Sequence, residues 1–179
     1  YMLDQAGETA GIYRKQHLVP FGEYVPFREA LFFISPLVET VADFSAGNGP
    51  QILPLDDHGI SAAICYEIIY PSLVRELVLS GASLITTLTN DAWYGRSAAP
   101  YQHFQQARMR AIEQGRYLVR AANTGISAVV DPYGRVLARS RLFEQAVVLE
   151  KVRLLKQLTP YGHVGDLTAY SLAFVTFLA

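Results

Sequence analysis

Cysteine is almost absent from this chain: Cys65 is the only one in 179 residues. No internal disulfide can form, and cysteine usage leaves the redox compartment open. Charge is sparse at 17%, and 15 Lys and Arg set against 16 Asp and Glu leave a net charge of −1. The basic residues are scattered, so the chain lacks the electrostatic footprint of a nucleic-acid-binding surface. His17, His58, His103 and His163 show no H-x-x-x-H spacing, and there is no C-x-x-C, so no metal cluster is written in the sequence. A signal peptide is lacking too, and the chain opens on Tyr1. No apolar run reaches the roughly 20 residues that span a bilayer. Leu167–Ala179 (LTAYSLAFVTFLA) comes nearest, with no charge in it. It reads either as a C-terminal core helix or as the first part of a membrane helix, and length alone does not choose.

What is present is a 51% hydrophobic chain long enough for one domain with a sizeable core. Ile12–Val19 has the aromatic and β-branched content of a strand, ended by Pro20. Phe21–Arg28 (FGEYVPFR) is a tight aromatic loop holding Glu23, a carboxylate that must be either exposed or buried and paired. Glu29–Phe44 predicts an apolar helix, either core or a surface that meets lipid or another apolar partner. Gln51–Leu55 and the stretch ending at Cys65 predict a hairpin about the turn Asp56–Gly59. Helices are expected over Pro71–Ser80 and Pro100–Gly115, the second with an apolar stripe of Phe104, Ala107, Ala111 and Ile112 and a Gly115 cap. Strands are expected at Ala82–Leu88, Tyr117–Ala121, Ile126–Val130, Val136–Ser140 and Ala146–Val152, with Asp131–Gly134 as a β-turn. Strand and helix alternate and then strands run together, which predicts an α/β layered fold with a mixed sheet.

The chemistry centres on Ile60–Tyr70 (ISAAICYEIIY). A thiol at a strand end, facing the start of the Pro71 helix, is placed where a helix N-terminus favours thiolate over thiol. The competing reading is a small buried hydrophobe. A thiol attacking a carbonyl needs a base, a cation or donors for the oxyanion, and shelter from water. Lys15 is the candidate cation, Glu23 and Glu67 are the acids nearest in sequence, and no histidine offers a Cys–His pair. The residues point to Cys–Lys–Glu chemistry.

Four segments, YRKQHLVPFGEYVP, ICYEIIYP, LTNDAWYG and QHFQQARMRAIEQGRYLVRAANTGISAVVDPYG, resemble in order the nitrilase (carbon–nitrogen hydrolase) superfamily. They resemble most closely its membrane branch, the apolipoprotein N-acyltransferases, over about residues 12–150. The resemblance implies an αββα sandwich, with residues 1–158 as the catalytic domain and 159–179 as linker and start of a transmembrane helix. It implies Cys65 as nucleophile, taking an acyl chain from a phospholipid as a thioester, and Lys15 as oxyanion stabiliser. Glu23, Tyr66 and Glu67 become supporting residues, and Trp93 lies in a loop near the substrate entrance. The acyl group would pass to the N-terminal amine of a diacylglyceryl-cysteine apolipoprotein, at the bacterial inner membrane on its periplasmic side, without cofactor or metal. Glu29–Phe44 becomes a lid or membrane-facing arm.

The family's general-base glutamate lies upstream of the lysine, and nothing before Lys15 fits it; Glu8 sits in a polar GETAG stretch. The chain is thus expected to be a piece of a longer protein, inactive alone, with a sheet edge and core surface uncovered. Two other functions stay open: a soluble amidase that releases the same thioester with water, and a membrane-anchored scaffold without activity.

Overall fold

The computed structural model describes residues 1–26 and 44–178. The apolar segment Glu29–Phe44 lies outside them, apart from Phe44. Strands β1 (Met2–Leu3) and β2 (Thr9–Gly11) form a small antiparallel ribbon. The remaining strands, β3 (Leu53–Leu55), β4 (His58–Ile64), β5 (Ala82–Asn90), β6 (Leu118–Asn123), β7 (Ala128–Val130) and β8 (Val136–Arg139), form one sheet in sequence order. β4, β5 and β6 run parallel, while β3, β7 and β8 join their neighbours antiparallel, so the sheet is mixed as its sequence predicts.

Parallel neighbours need crossovers, and helices supply them. α1 (Pro71–Leu79) links β4 to β5, with Pro71 at a first-turn position where its missing N–H is no loss. α2 (Ala99–Gln114) links β5 to β6 and buries Phe104, Ala107 and Ala111. Its expected stripe fails at Ile112, which is 42% exposed because the buried face turns toward Arg110 and Gln114. Gly115 takes a left-handed conformation (φ 60°) as the helix cap, and the Arg116 N–H reaches back to the Ala111 carbonyl. Val74 and Val78 of α1, Phe104 and Ala107 of α2, and Ile85, Leu118 and Val130 of the sheet form one apolar cluster between layers.

Two expected strands are absent. Ile12–Val19 joins no ladder among the described residues, because its Gln16 and His17 amides go to a side-chain carboxylate instead of a neighbouring strand. Ala146–Val152 has no strand partner among the described residues, and Val147 and Leu149 stand in solvent. The chain then straps back across the helices. The Leu155 N–H donates to the Ser83 carbonyl, and Thr159 Oγ1 donates to the Glu113 carbonyl while capping α3 (Pro160–Val164). α4 (Leu167–Leu178) follows, apolar but with no buried side chain. At about 1.5 Å per residue its length falls short of a bilayer core. No helix among the described residues is long and apolar enough to cross a membrane.

Arg116 fastens the strap. Its buried guanidinium donates to the carbonyls of Ala82 (3.0 Å), Gln114 (3.1 Å) and Gln157 (2.6 Å). Arg116→Leu leaves those carbonyls unpaired and is expected to destabilise the protein by about 2–3 kcal/mol. A denaturation midpoint unchanged from wild type would refute this.

Candidate active site

β4 ends at Ile64 and delivers Cys65 as the first residue of a 3-10 helix, Cys65–Ile69. The expected direct contact with the start of α1 is thus replaced by this intervening turn. Cys65 holds a left-handed backbone (φ 57°), a region that costs a residue bearing a Cβ about 1–2 kcal/mol. Glu67 stabilises the turn from within. Its carboxylate is fully buried and accepts the N–H groups of Ile64 (2.6 Å), Gln16 (2.6 Å) and His17 (3.0 Å) and the hydroxyl of Tyr13 (3.0 Å). Four donors offset the loss of hydration that would otherwise forbid a carboxylate there. Burial, and then the Glu67 charge, raise the pKa of Tyr13 far above its ordinary value, so the phenol remains a donor.

Three of those donors belong to Tyr13–His17, the segment that carries Lys15. Glu67 therefore binds the lysine's backbone to the cysteine's turn. Lys15 Nζ lies 2.6 Å from both Glu23 carboxylate oxygens, and the Val19 N–H adds a further bond to Oε2 at 2.9 Å. Glu23 in turn lines a cavity of about 320 Å³ shared with Cys65, Tyr66, Trp93 and Tyr94. Trp93 is 85% exposed and stands at the outside of this cavity. Tyr94 is held above its ordinary pKa first by burial and then by its proximity to Cys65 and Asp91.

A second charge system lies behind the tyrosines. Asp91 accepts from Arg120 Nη2 (2.8 Å) and Thr89 Oγ1 (3.0 Å) and pairs with His103 Nδ1 (3.0 Å). The His103 ring sits against Tyr94 (centroids 6.0 Å apart) and Tyr66 (6.4 Å). Gly125 is required opposite: a Cβ there would collide with Asp91 Oδ2.

The carbon–nitrogen hydrolase family model matches residues 1–156. The chain belongs to this family. Among curated relatives it is 42% identical over 96% of its length to a protein of Geobacter metallireducens named apolipoprotein N-acyltransferase, covering 33% of that protein. It is 43% identical over 87% of its length to a protein of the same name from Pseudomonas putida, covering 31% of it. The chain thus spans about a third of the length of these relatives. Among solved structures it resembles a mutant amidase from Nesterenkonia sp. AN1 carrying acrylamide on its active-site cysteine (TM-score 0.55, 25% identity, 78% of this chain and 51% of that one). A carbon–nitrogen hydrolase from Helicobacter pylori shares the fold (TM-score 0.57, 20% identity, 78% and 50% of the chains).

Within this carbon–nitrogen hydrolase fold, Cys65 and Trp93 follow the carboxyl ends of β4 and β5. Glu23, Cys65, Tyr66 and Trp93 line one cavity, Lys15 joins it through Glu23, and Glu67 ties the Lys15 segment to the cysteine turn. Glu67 contributes from beneath the cavity and not from its wall. Glu8 is exposed in the turn after β1, and its N–H bonds Asp4. Sequence reasoning missed Tyr94, Asp91, His103 and Arg120. His103 had a signal: it precedes Phe104 on the buried stripe of α2, where a polar residue needs a buried partner.

Burial alone would raise the Asp91 pKa, but the bond with His103 and the charge of Arg120 outweigh it and hold the group below its ordinary 3.8. Stability from this carboxylate is therefore complete above 3.8 and is lost as pH falls through the lower native value. Asp91→Asn is expected to lower stability at neutral pH and to shrink the acid limb of a pH-denaturation curve. An acid limb unchanged by the substitution would contradict this account. Glu67→Gln is expected to cost at least about 3 kcal/mol, since an amide NH2 faces N–H donors, and Tyr13→Phe only about 1 kcal/mol. Equal losses in thermal melts would argue that Glu67 is not the anchor.

Proposed function

We propose that the protein to which this chain belongs is an N-acyltransferase that modifies lipoproteins. It would move a phospholipid fatty acyl chain to the N-terminal amine of a diacylglyceryl-cysteine apolipoprotein. The observation that carries this reading is the 42% identity to an apolipoprotein N-acyltransferase across nearly the whole chain. The geometry is consistent with it: a cysteine in a left-handed turn opens on a cavity that it shares with the carboxylate paired to Lys15.

In the first stage the Cys65 thiolate attacks an ester carbonyl of the phospholipid. A C–S bond forms, and the oxyanion is stabilised by Lys15 Nζ. When the carbonyl re-forms, the ester C–O bond breaks and the lysophospholipid leaves as the alcohol, taking the proton that the general base had removed from the thiol. In the second stage the amine attacks the thioester, a C–N bond forms and the C–S bond breaks. The amine's proton passes to a base, which the family resemblance assigns to a glutamate upstream of Lys15. Glu23 orients Lys15, Glu67 and Tyr66 maintain the turn and wall, and Trp93 guards the mouth. Water must be kept from the thioester, and an apolar wall of Tyr66, Tyr94 and Val19 suits that need.

Residues 1–158 then form the C-terminal part of an αββα catalytic domain. α4, apolar and unburied, is the near end of a membrane helix whose lead-in is 159–166. The site would face the periplasm from the bacterial inner membrane, with phospholipid and apolipoprotein as partners and no nucleic acid.

A second reading, hydrolysis of a small amide, has the likeness to the Nesterenkonia amidase in its favour. Its identity to this chain is lower, and the unburied apolar helix gives a soluble amidase nothing to do. The deciding experiment is the intact mass of the full-length protein after incubation with phospholipid and no acceptor. A hydroxylamine-labile gain of one fatty acyl group on Cys65 is expected, lost in Cys65→Ser and severely slowed in Lys15→Ala. No gain, alongside cleavage of small amides, would transfer the assignment to the hydrolase. Normal turnover in either variant would end it.

A further inference from the structure

Next to the cysteine cavity lies a cleft of different chemistry. Arg96, Arg139 and Arg141 line it over a volume of about 350 Å³, together with Ser97 and an apolar floor of Ile126 and Leu142. No carboxylate among the described residues lines it. None of the three arginines ion-pairs with another described residue. In a chain of net charge −1, an acid-free cleft with three guanidinium groups is a marked local excess of cation.

The cleft is held in place by its surroundings. Arg139 ends β8, and Arg141 lies beyond Ser140, a buried residue whose hydroxyl accepts the Ser127 N–H at 3.0 Å. Arg96 Cζ lies 4.8 Å above the Phe143 ring, a contact that uses the face of the guanidinium and not its N–H edge. Planar guanidinium groups match the paired oxygens of a phosphate, and several together select a phosphate over a neutral ligand.

Its position relates it to Cys65. Both cavities lie beyond the carboxyl ends of the parallel strands β4, β5 and β6. Tyr94 walls the cysteine cavity, Gly95 turns the chain (φ 55°), and Arg96 opens the cleft. Their Cα atoms can be no more than about 7 Å apart. In a phospholipid only the glycerol separates the ester carbonyls from the phosphate.

We propose that the Arg96–Arg139–Arg141 cleft holds the phosphodiester of the phospholipid donor while an ester carbonyl is presented to Cys65. This rests on the acyl-transfer reading and adds a headgroup site to it. The apolar floor suits the glycerol and the first methylenes, and the arginines suit the anion.

The test uses the full-length protein carrying Cys65→Ser, so that no thioester forms, in detergent micelles. Binding of dihexanoyl phosphatidylethanolamine is compared with that of dihexanoylglycerol, which has the same chains and no phosphate. The phospholipid is expected to bind at least about tenfold more tightly, a preference worth one charged hydrogen bond or more. Adding Arg96→Gln, Arg139→Gln and Arg141→Gln should abolish the preference, and lysine at all three positions should keep most of it. A preference that survives the three glutamines overturns the site. So does inorganic phosphate binding as tightly as the phospholipid, which would make the ligand a free anion. Loss of affinity for an acidic acceptor peptide with the lipid preference intact would likewise overturn it, in favour of a protein-docking patch. The two readings fail separately. A wild-type protein that forms no thioester, but loses its phosphate preference in the glutamine variant, refutes acyl transfer and keeps the cleft.

Discussion

The carboxylate of Glu67 joins parts of the chain that lie some fifty residues apart. It draws the amides of Gln16 and His17 and the hydroxyl of Tyr13 onto the turn that begins at Cys65, and it accepts the Ile64 amide from the end of β4. Each donor lost from a buried charge costs on the order of 1–3 kcal/mol, a sizeable share of the net stability of a marginal domain. The turn, the Lys15 segment and the left-handed cysteine therefore stand or fall together. Strain at Cys65 persists because its surroundings over-determine it.

A similar logic governs the far side of the cavity. Asp91 and Arg120 bury opposite charges beneath the loop that carries Trp93 and Tyr94, and His103 wedges between that pair and the two tyrosine rings. One wall is thus set by an anion fed mainly by backbone donors, and the other by an ion pair between the turn after β5 and strand β6. Between them the cavity presents a thiol, a carboxylate held by lysine, and aromatic faces. A rigid polar frame behind an apolar, partly open mouth suits chemistry on an amphiphile, whose reacting carbonyl must reach the thiol while water does not.

The arginine cleft extends this division of labour along the same end of the sheet. Residues 90–97 pass from an apolar cavity around the thiol to a cationic cleft within a few residues, with Gly95 as the bend. α4 adds a third apolar surface that the rest of the described protein leaves uncovered. On the acyl-transfer reading these three surfaces meet the acyl chain, the headgroup and the bilayer of a single substrate system.

Local pattern was enough for much of the architecture. The hairpin before Cys65, both long helices, the Gly115 cap and the mixed order of strands follow from periodicity, turn residues and apolar runs, which are short-range properties. The motifs around Lys15, Glu23, Cys65 and Trp93 likewise carried the family in the sequence itself. Pattern failed where long-range partners decide. Ile12–Val19 has the composition of a strand, but two of its amides find a carboxylate fifty residues away, and Ala146–Val152 reads as a strand but has no neighbour to ladder against among the described residues. The stripe of α2 was misjudged at Ile112 and unrecognised at His103, because which face is buried depends on what packs against it. Glu67 stood in the sequence as a residue beside the cysteine. That it lies beneath the site with four donors, that Glu23 is the carboxylate holding Lys15, and that three scattered arginines converge, are matters of distance between remote segments. Spacing along a chain fixes chemistry and local shape, but only the tertiary structure brings a charge and its partners within hydrogen-bond reach.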